Sequence, residues 1–144
     1  MKEFQFKLIH RIVITKKKLF RYGINTDSDC IYCGEPDSIN HTFLDCEFTK
    51  TFTNKVINCF NSQNTQNGFD FQPDTMETLF ATFKRPTYME LVRKFKCTLL
   101  FMKFYVYVSK LNNSSLVLAK FITRINYLYK VENLKFKTEK ILVA

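Results

Sequence analysis

Cys30-Ile31-Tyr32-Cys33-Gly34-Glu35-Pro36-Asp37-Ser38-Ile39-Asn40-His41-Thr42-Phe43-Leu44-Asp45-Cys46 is the stretch around which the chain is built. Its spacing is C-x2-C-x7-H-x4-C. Tetrahedral zinc needs four soft or borderline donors within reach of one point, with Zn–S near 2.3 Å and Zn–N near 2.0–2.1 Å. A C-x2-C pair offers two thiolates from one tight turn. Gly34 directly after it lets the backbone turn where a Cβ would clash. Asp37 or Ser38 is placed to cap a helix from about Ile39, which sets His41 in its first turn. Cys46 follows five residues later, about 140° round a continuous helix at roughly 100° per residue. Both cannot face one metal, so the sequence predicts that the helix ends or loosens near Asp45.

Other uses of these cysteines are buried core thiols, disulfides, or a redox C-x2-C pair. The count of five is odd, and no strand–helix context for redox chemistry surrounds Cys30. Four donors within seventeen residues favour zinc. Three thiolates and an imidazole fill a tetrahedron and leave no position for an activated water, so the expected site is structural. Cys59 and Cys97 fall on expected helices and read as core thiols. His10 has no partner in its motif and reads as an ordinary helical histidine.

Upstream, Phe4, Leu8, Ile9, Ile12 and Val13 trace one helical face. Thr15 is a candidate N-cap for a short helix over Lys16 to Tyr22, closed by Gly23. Downstream, Asn58 to Asp74 is rich in Asn and Gln and reads as a mobile surface loop. Asp74 is placed to cap a short helix over Thr75 to Phe83, stopped by Pro86. Tyr88, Leu91, Val92, Phe95, Leu99, Met102 and Val106 predict a long helix from Thr87 to about Leu111. Within it, Phe104 to Val108 has strand propensity. Ser114 or Ser115 is expected to cap a last helix to about Glu132, with a frayed basic tail from Asn133. The expected fold is mainly α: a small helical domain with the Cys-Cys-His-Cys zinc site in the N-terminal third, followed by a helical tail. The expected division is 1–57 for the helical lead and zinc module, 58–74 for the loop, and 75–144 for the C-terminal helices.

Composition narrows the function. The 144 residues carry 22 Lys plus Arg against 13 Asp plus Glu, a net charge of +9. Only three glycines occur, far apart, so neither a P-loop nor a dinucleotide fingerprint can be written. The best apolar run, Leu99 to Val108, is too short to span a bilayer and contains Lys103. No signal-peptide pattern opens the chain, so an intracellular setting, nuclear or cytoplasmic, is expected, with no membrane partner. With two histidines and no clustered carboxylates, no catalytic set or small-molecule substrate is expected. Lys16-Lys17-Lys18 and Arg21 lie beside the zinc turn. Lys17, Lys18 and Arg21 are the candidate contacts to a nucleic-acid backbone, and a solvated basic face is the other reading. Tyr22 and Tyr32 are candidates to stack on bases or to pack in the core. The Phe-rich second half reads as core or a partner face.

Phe6-Lys7-Leu8-Ile9-His10-Arg11, Thr15 to Phe20, Gly23-Ile24, Cys30-x2-Cys33-Gly34-Glu35 and His41-Thr42-Phe43-Leu44-Asp45-Cys46 together resemble the zinc-binding region at the C-terminal end of non-LTR (LINE-type) retrotransposon reverse transcriptases. The specific motifs cover about Phe6 to Phe52. The resemblance implies one zinc on Cys30, Cys33, His41 and Cys46. It also implies a role in holding template RNA or target DNA, with RNA or single-stranded DNA as partner beside a reverse transcriptase core. Phe43, Phe48 and Phe52 stand near where the family often has Trp. The polymerase's aromatic-x-Asp-Asp motif and an endonuclease are absent, so the chain looks like a detached tail without polymerase activity. The alternative is a structural or protein-interaction domain, a retroelement remnant that uses its Phe-rich helices and binds no nucleic acid.

Overall fold

A computed structural model describes residues 2–64, 70–74, 77–78 and 89–143, with side chains to residue 131. The helices are α1 (Lys2–Ile9), α2 (Lys16–Arg21), α3 (Glu47–Gln63), α4 (Met89–Leu111) and α5 (Leu118–Val143), with a π-helical turn at His41–Asp45 between α2 and α3. The architecture is helical as expected. Among the described residues, extended pairing is confined to one bridge, Asp29 with Pro36.

The long helix α4 sits at the centre because it is apolar most of the way round. One side packs on α3 and α5: Phe95, Leu99, Met102, Tyr105 and Val106 bury against Phe52, Val56, Ile57, Phe121 and Ile125. Phe52 stacks on Tyr105 at 5.5 Å and meets Phe121 edge-on at 5.7 Å. Another side faces a second cluster of Phe4, Leu8, Val13, Ile39 and Phe43, against which Leu100 and Tyr107 pack. α4 therefore touches both the tail helices and the Cys/His region. The strand propensity of Phe104 to Val108 loses to this packing, since a helix delivers Met102, Tyr105, Val106 and Ser109 inward together.

Four expectations change. The first helix ends at Ile9, not Val13, because Arg11 takes a left-handed φ of 55° and turns the chain. Phe4, Leu8 and Val13 remain buried, whereas Ile9 and Ile12 are exposed. The loop begins after Gln63, not at Asn58, because α3 continues through Asn58-Cys59-Phe60-Asn61 and packs Phe60 on the core. The last helix starts at Leu118, three residues after Ser115. Its backbone stays helical to Val143, where fraying was expected from Asn133. The Asp74 cap is present: its carboxylate accepts the Glu77 amide at 2.7 Å, and the Glu77 carboxylate accepts the Asp74 amide at 3.0 Å. The rest of that expected helix, Thr75, Met76 and residues 79–83, and the stop at Pro86 lie outside the described residues.

The segment after α3 is clipped by one side chain. The buried Asn61 donates to the Phe71 carbonyl and to Asp70, and accepts the Phe71 amide at 3.0 Å. This holds Phe71 against Phe95, with ring centroids 4.4 Å apart. Asn61→Ala removes both backbone bonds at once, so an expected cost is about 1–3 kcal/mol. Urea unfolding of the variant against the parent measures it.

Lys103 is 1% exposed on α4 and donates to Gln5 Oε1 at 3.3 Å. Burial pulls its ammonium down to about 8. The unfolded lysine titrates near 10.4, so between these values the unfolded chain binds more protons and stability rises with pH. Lys103→Met should be more stable than the parent at neutral pH. The difference should shrink from about pH 8 to about pH 10, as followed by thermal unfolding across that range.

Candidate metal centre

The first two cysteines come from a knuckle tied by backbone bonds. The Cys30 amide donates to Glu35 O at 2.7 Å, the Gly34 amide to Cys30 O at 2.9 Å, and the Asp37 amide to Ser28 O at 2.8 Å. Gly34 adopts φ 79°, the left-handed conformation its place in the motif requires. Asp27 accepts the Asp29 amide at 2.7 Å and so shapes the approach. These contacts place both thiols on one side of the turn, with the Tyr32 amide 3.5 Å from the Cys30 sulfur.

His41 and Cys46 come from the next element. Ser38 caps it, its hydroxyl accepting the His41 amide at 3.1 Å. The expected break takes the form of a π turn: the Cys46 amide donates to His41 O at 3.0 Å, five residues back. The wider ring brings residue i+5 back over residue i, as an α turn would not. Cys46 then leaves the helix in an extended conformation (φ −65°, ψ 122°) and starts α3.

The four donor atoms all lie within 4.8 Å of one another. Cys46 Sγ is 4.0 Å from both Cys30 Sγ and Cys33 Sγ, and Cys33 Sγ is 3.1 Å from His41 Nε2. The edge of a tetrahedron with Zn–S of 2.3 Å is about 3.8 Å, so the donor spacing fits zinc. It is too long for disulfides, which need about 2.05 Å, and all five cysteines are free thiols. Cys30 and Cys46 are buried and Cys33 reaches the surface. Cys30, Cys33, His41 and Cys46 thus form one zinc site of Cys3His type.

The surroundings favour thiolate at Cys30, whereas burial and the neighbouring thiols push Cys33 up. Burial pushes the Cys30 thiol up, but the amides of Tyr32 and Cys33, then Lys110 and His41, outweigh it and bring it to about 7. Lys110, at the end of α4, is one residue the sequence argument missed. Its ammonium donates to Asp37 Oδ1 at 2.7 Å, with both side chains under 8% exposed. It also lies 5.7 Å from the Tyr32 ring centroid. Asp37 is the other: it accepts Thr42 Oγ1 at 2.8 Å in addition to Lys110. The one signal available was the i, i+7 spacing of Lys103 and Lys110 on an apolar helix. That spacing puts both on one face but names no partner.

The remaining candidates are distributed as follows. Thr15 caps α2, its hydroxyl accepting the Lys18 amide, and Gly23 follows with φ 73°. Lys17 and Arg21 are exposed on α2, while Lys18 is half-buried and donates to the Arg11 carbonyl. Lys16 stands 3.7 Å from Asp27. Tyr22 is exposed; Tyr32 is half-buried and donates to Ser114 O at 2.6 Å. His10 is exposed on the Phe6 ring, and Cys59 and Cys97 are half-buried, away from the metal residues.

No helix among the described residues is long and apolar enough to cross a membrane. No curated protein and no solved structure matches the chain. Residues 1–52, which contain all four zinc ligands and the helical lead before them, match the family described as zinc-binding in reverse transcriptase.

Proposed function

We propose that the chain is a zinc-stabilised module that binds RNA or single-stranded DNA, with no catalytic role of its own. On this reading it is related to the zinc-binding region of non-LTR reverse transcriptases. One observation carries the reading: the basic helix α2 is held against the metal knuckle. The Lys17 amide donates to Asp37 O at 3.4 Å, so the exposed Lys17 and Arg21 side chains stand at a fixed place beside the zinc residues. Lys17 and Arg21 are i, i+4 and share one side of the helix. Lys18 joins them from a position where it also holds the Arg11 carbonyl. Phosphate contacts position a strand without reading its sequence, so binding is weakly selective.

The test is a salt titration of binding to single-stranded RNA and DNA. Lys17→Ala with Arg21→Ala removes two contacts. The slope of log K against log salt should flatten by about 1.4, at roughly 0.7 per contact on a single strand. Adding Lys18→Ala should bring the change to about 2. Zinc content and helicity of the double variant should match the parent. An unchanged slope would mean that α2 is only a solvated face.

A protein-interaction role is favoured by a different observation. Most phenylalanines described on α3, α4 and α5 pack in the core, Phe48 and Phe104 being exposed, while Phe6, Ile9, Ile12, Phe20, Tyr22 and Ile24 are all about half exposed or more. Apolar side chains exposed along residues 6–24 suit a protein partner such as a reverse transcriptase core. Retained salt-insensitive binding to protein, with none to nucleic acid, would favour this second reading.

A further inference from the structure

We propose that Lys110 is a positioning residue of the zinc centre, so that the metal-binding unit extends from the first 52 residues to the end of α4. The inference rests on the zinc site and is independent of nucleic-acid binding. Three thiolates and a neutral imidazole around Zn2+ carry one net negative charge. That charge is buried at Cys30 and Cys46 and needs a counter-charge or hydrogen-bond donors nearby.

The Lys110 ammonium is placed to provide the counter-charge. It is held between Asp37, which leads into the His41 turn, and the ring of Tyr32, which lies between the two knuckle cysteines. It is 7% exposed, so little water screens it. Its place is fixed from three directions: by Asp37 at 2.7 Å, by the Tyr32 ring at 5.7 Å, and by the helix that carries it. Asp37 is held in turn by Thr42, next to His41. Tyr32, between the two knuckle cysteines, adds a second tie from the knuckle to the turn after α4 through Ser114. The outer partners of metal ligands set ligand orientation and charge, and losing one typically costs 10–100-fold in affinity.

An anchoring ion pair would predict that either partner can be lost with similar consequence. A positioning role predicts asymmetry. Without Lys110 the thiolates lose the positive charge held beside the knuckle. Without the Asp37 charge, the ammonium remains beside them. Zinc affinity of the full-length chain is read by competition with a chromophoric chelator, with helicity followed in the same samples. Lys110→Met should weaken zinc binding by about tenfold or more. Lys110→Arg should recover most of the loss, and Asp37→Asn should stay within about threefold of the parent. In the Co2+-substituted chain, Lys110→Met should shift the thiolate-to-metal charge-transfer band, which a distant packing defect does not reach.

A second measurement needs no variant. Zinc removal from the parent chain should speed amide exchange at residues 106–112 as well as at 28–46. Parent affinity in Lys110→Met, or equal losses in Lys110→Met and Asp37→Asn, would overturn the proposal. So would exchange changes confined to 28–46. A parent chain that takes up no zinc would overturn the metal site and this inference together. Loss of nucleic-acid binding with asymmetric zinc affinities would leave it standing.

Discussion

Removing zinc should unfold the region from Asp27 to Cys46 while much of the α3–α4–α5 core survives. Few apolar side chains hold this region: Cys30, Ile39, Phe43 and Cys46 are its buried hydrophobic residues. The knuckle is fastened by the short backbone bonds of residues 28–37 and by the four ligands. Structural zinc sites in small peptides contribute roughly 10–16 kcal/mol of apparent binding free energy. That is comparable to the roughly 5–15 kcal/mol that typically holds a whole domain. Purified protein should therefore carry about one zinc per chain, measured by elemental analysis. Cys33→Ser should lose it, although Cys33 is at the surface and contributes little to packing. The choice of Cys33 separates metal binding from core packing, which substitution of the fully buried Cys46 would not. Amide exchange after chelation should collapse protection over residues 28–46 and leave the middle of α4 protected. An unchanged metal content in Cys33→Ser would remove the site.

Phe95→Ala should give the largest loss of stability from any single truncation away from the metal. Phe95 is 0% exposed at the middle of the main cluster. Its ring stacks on Phe71 at 4.4 Å and lies 5.0 Å from that of Phe60. It therefore joins α4, the end of α3 and the segment clipped by Asn61. Phe→Ala in such a site typically costs about 3–5 kcal/mol, because the lost transfer energy is joined by an unfilled cavity. Urea titration should show a lower midpoint with an unchanged slope, and zinc content should stay at the parent value. Loss of zinc in this variant would show that the two clusters unfold together.

Both outcomes bear on what each level of description contains. The metal ligands were legible because chelation imposes a local spacing on the chain: C-x2-C, then His and Cys within one further element. The impossibility of a regular helix between His41 and Cys46 was legible too, from 100° per residue alone. That the chain answers with an i to i+5 bond, and not a plain helix end, was not. Several breaks place Cys46 correctly, and packing of Phe43 into the α1 cluster selects among them. The helices α2 and α4 were legible from Thr15, Gly23 and the 3–4 residue steps of their apolar positions. The length of α1 was misjudged because Ile9 and Ile12 look like core in a pattern, yet both are half exposed and the chain turns at Arg11. The loop was misjudged because Asn61 reads as a loop residue in composition, whereas it is buried and bonded to Phe71.

By itself, then, the sequence determined the helical class, the four zinc ligands and the basic helix next to them, since each depends on residues close in the chain. Only the tertiary structure decided that α4 lies between the zinc knuckle and the tail helices, and that Lys110 meets Asp37 and the Tyr32 ring across more than 70 residues of chain. Such pairings follow from how apolar faces bury against one another. A helix that is apolar most of the way round, like α4, has many ways to do so that periodicity alone does not rank.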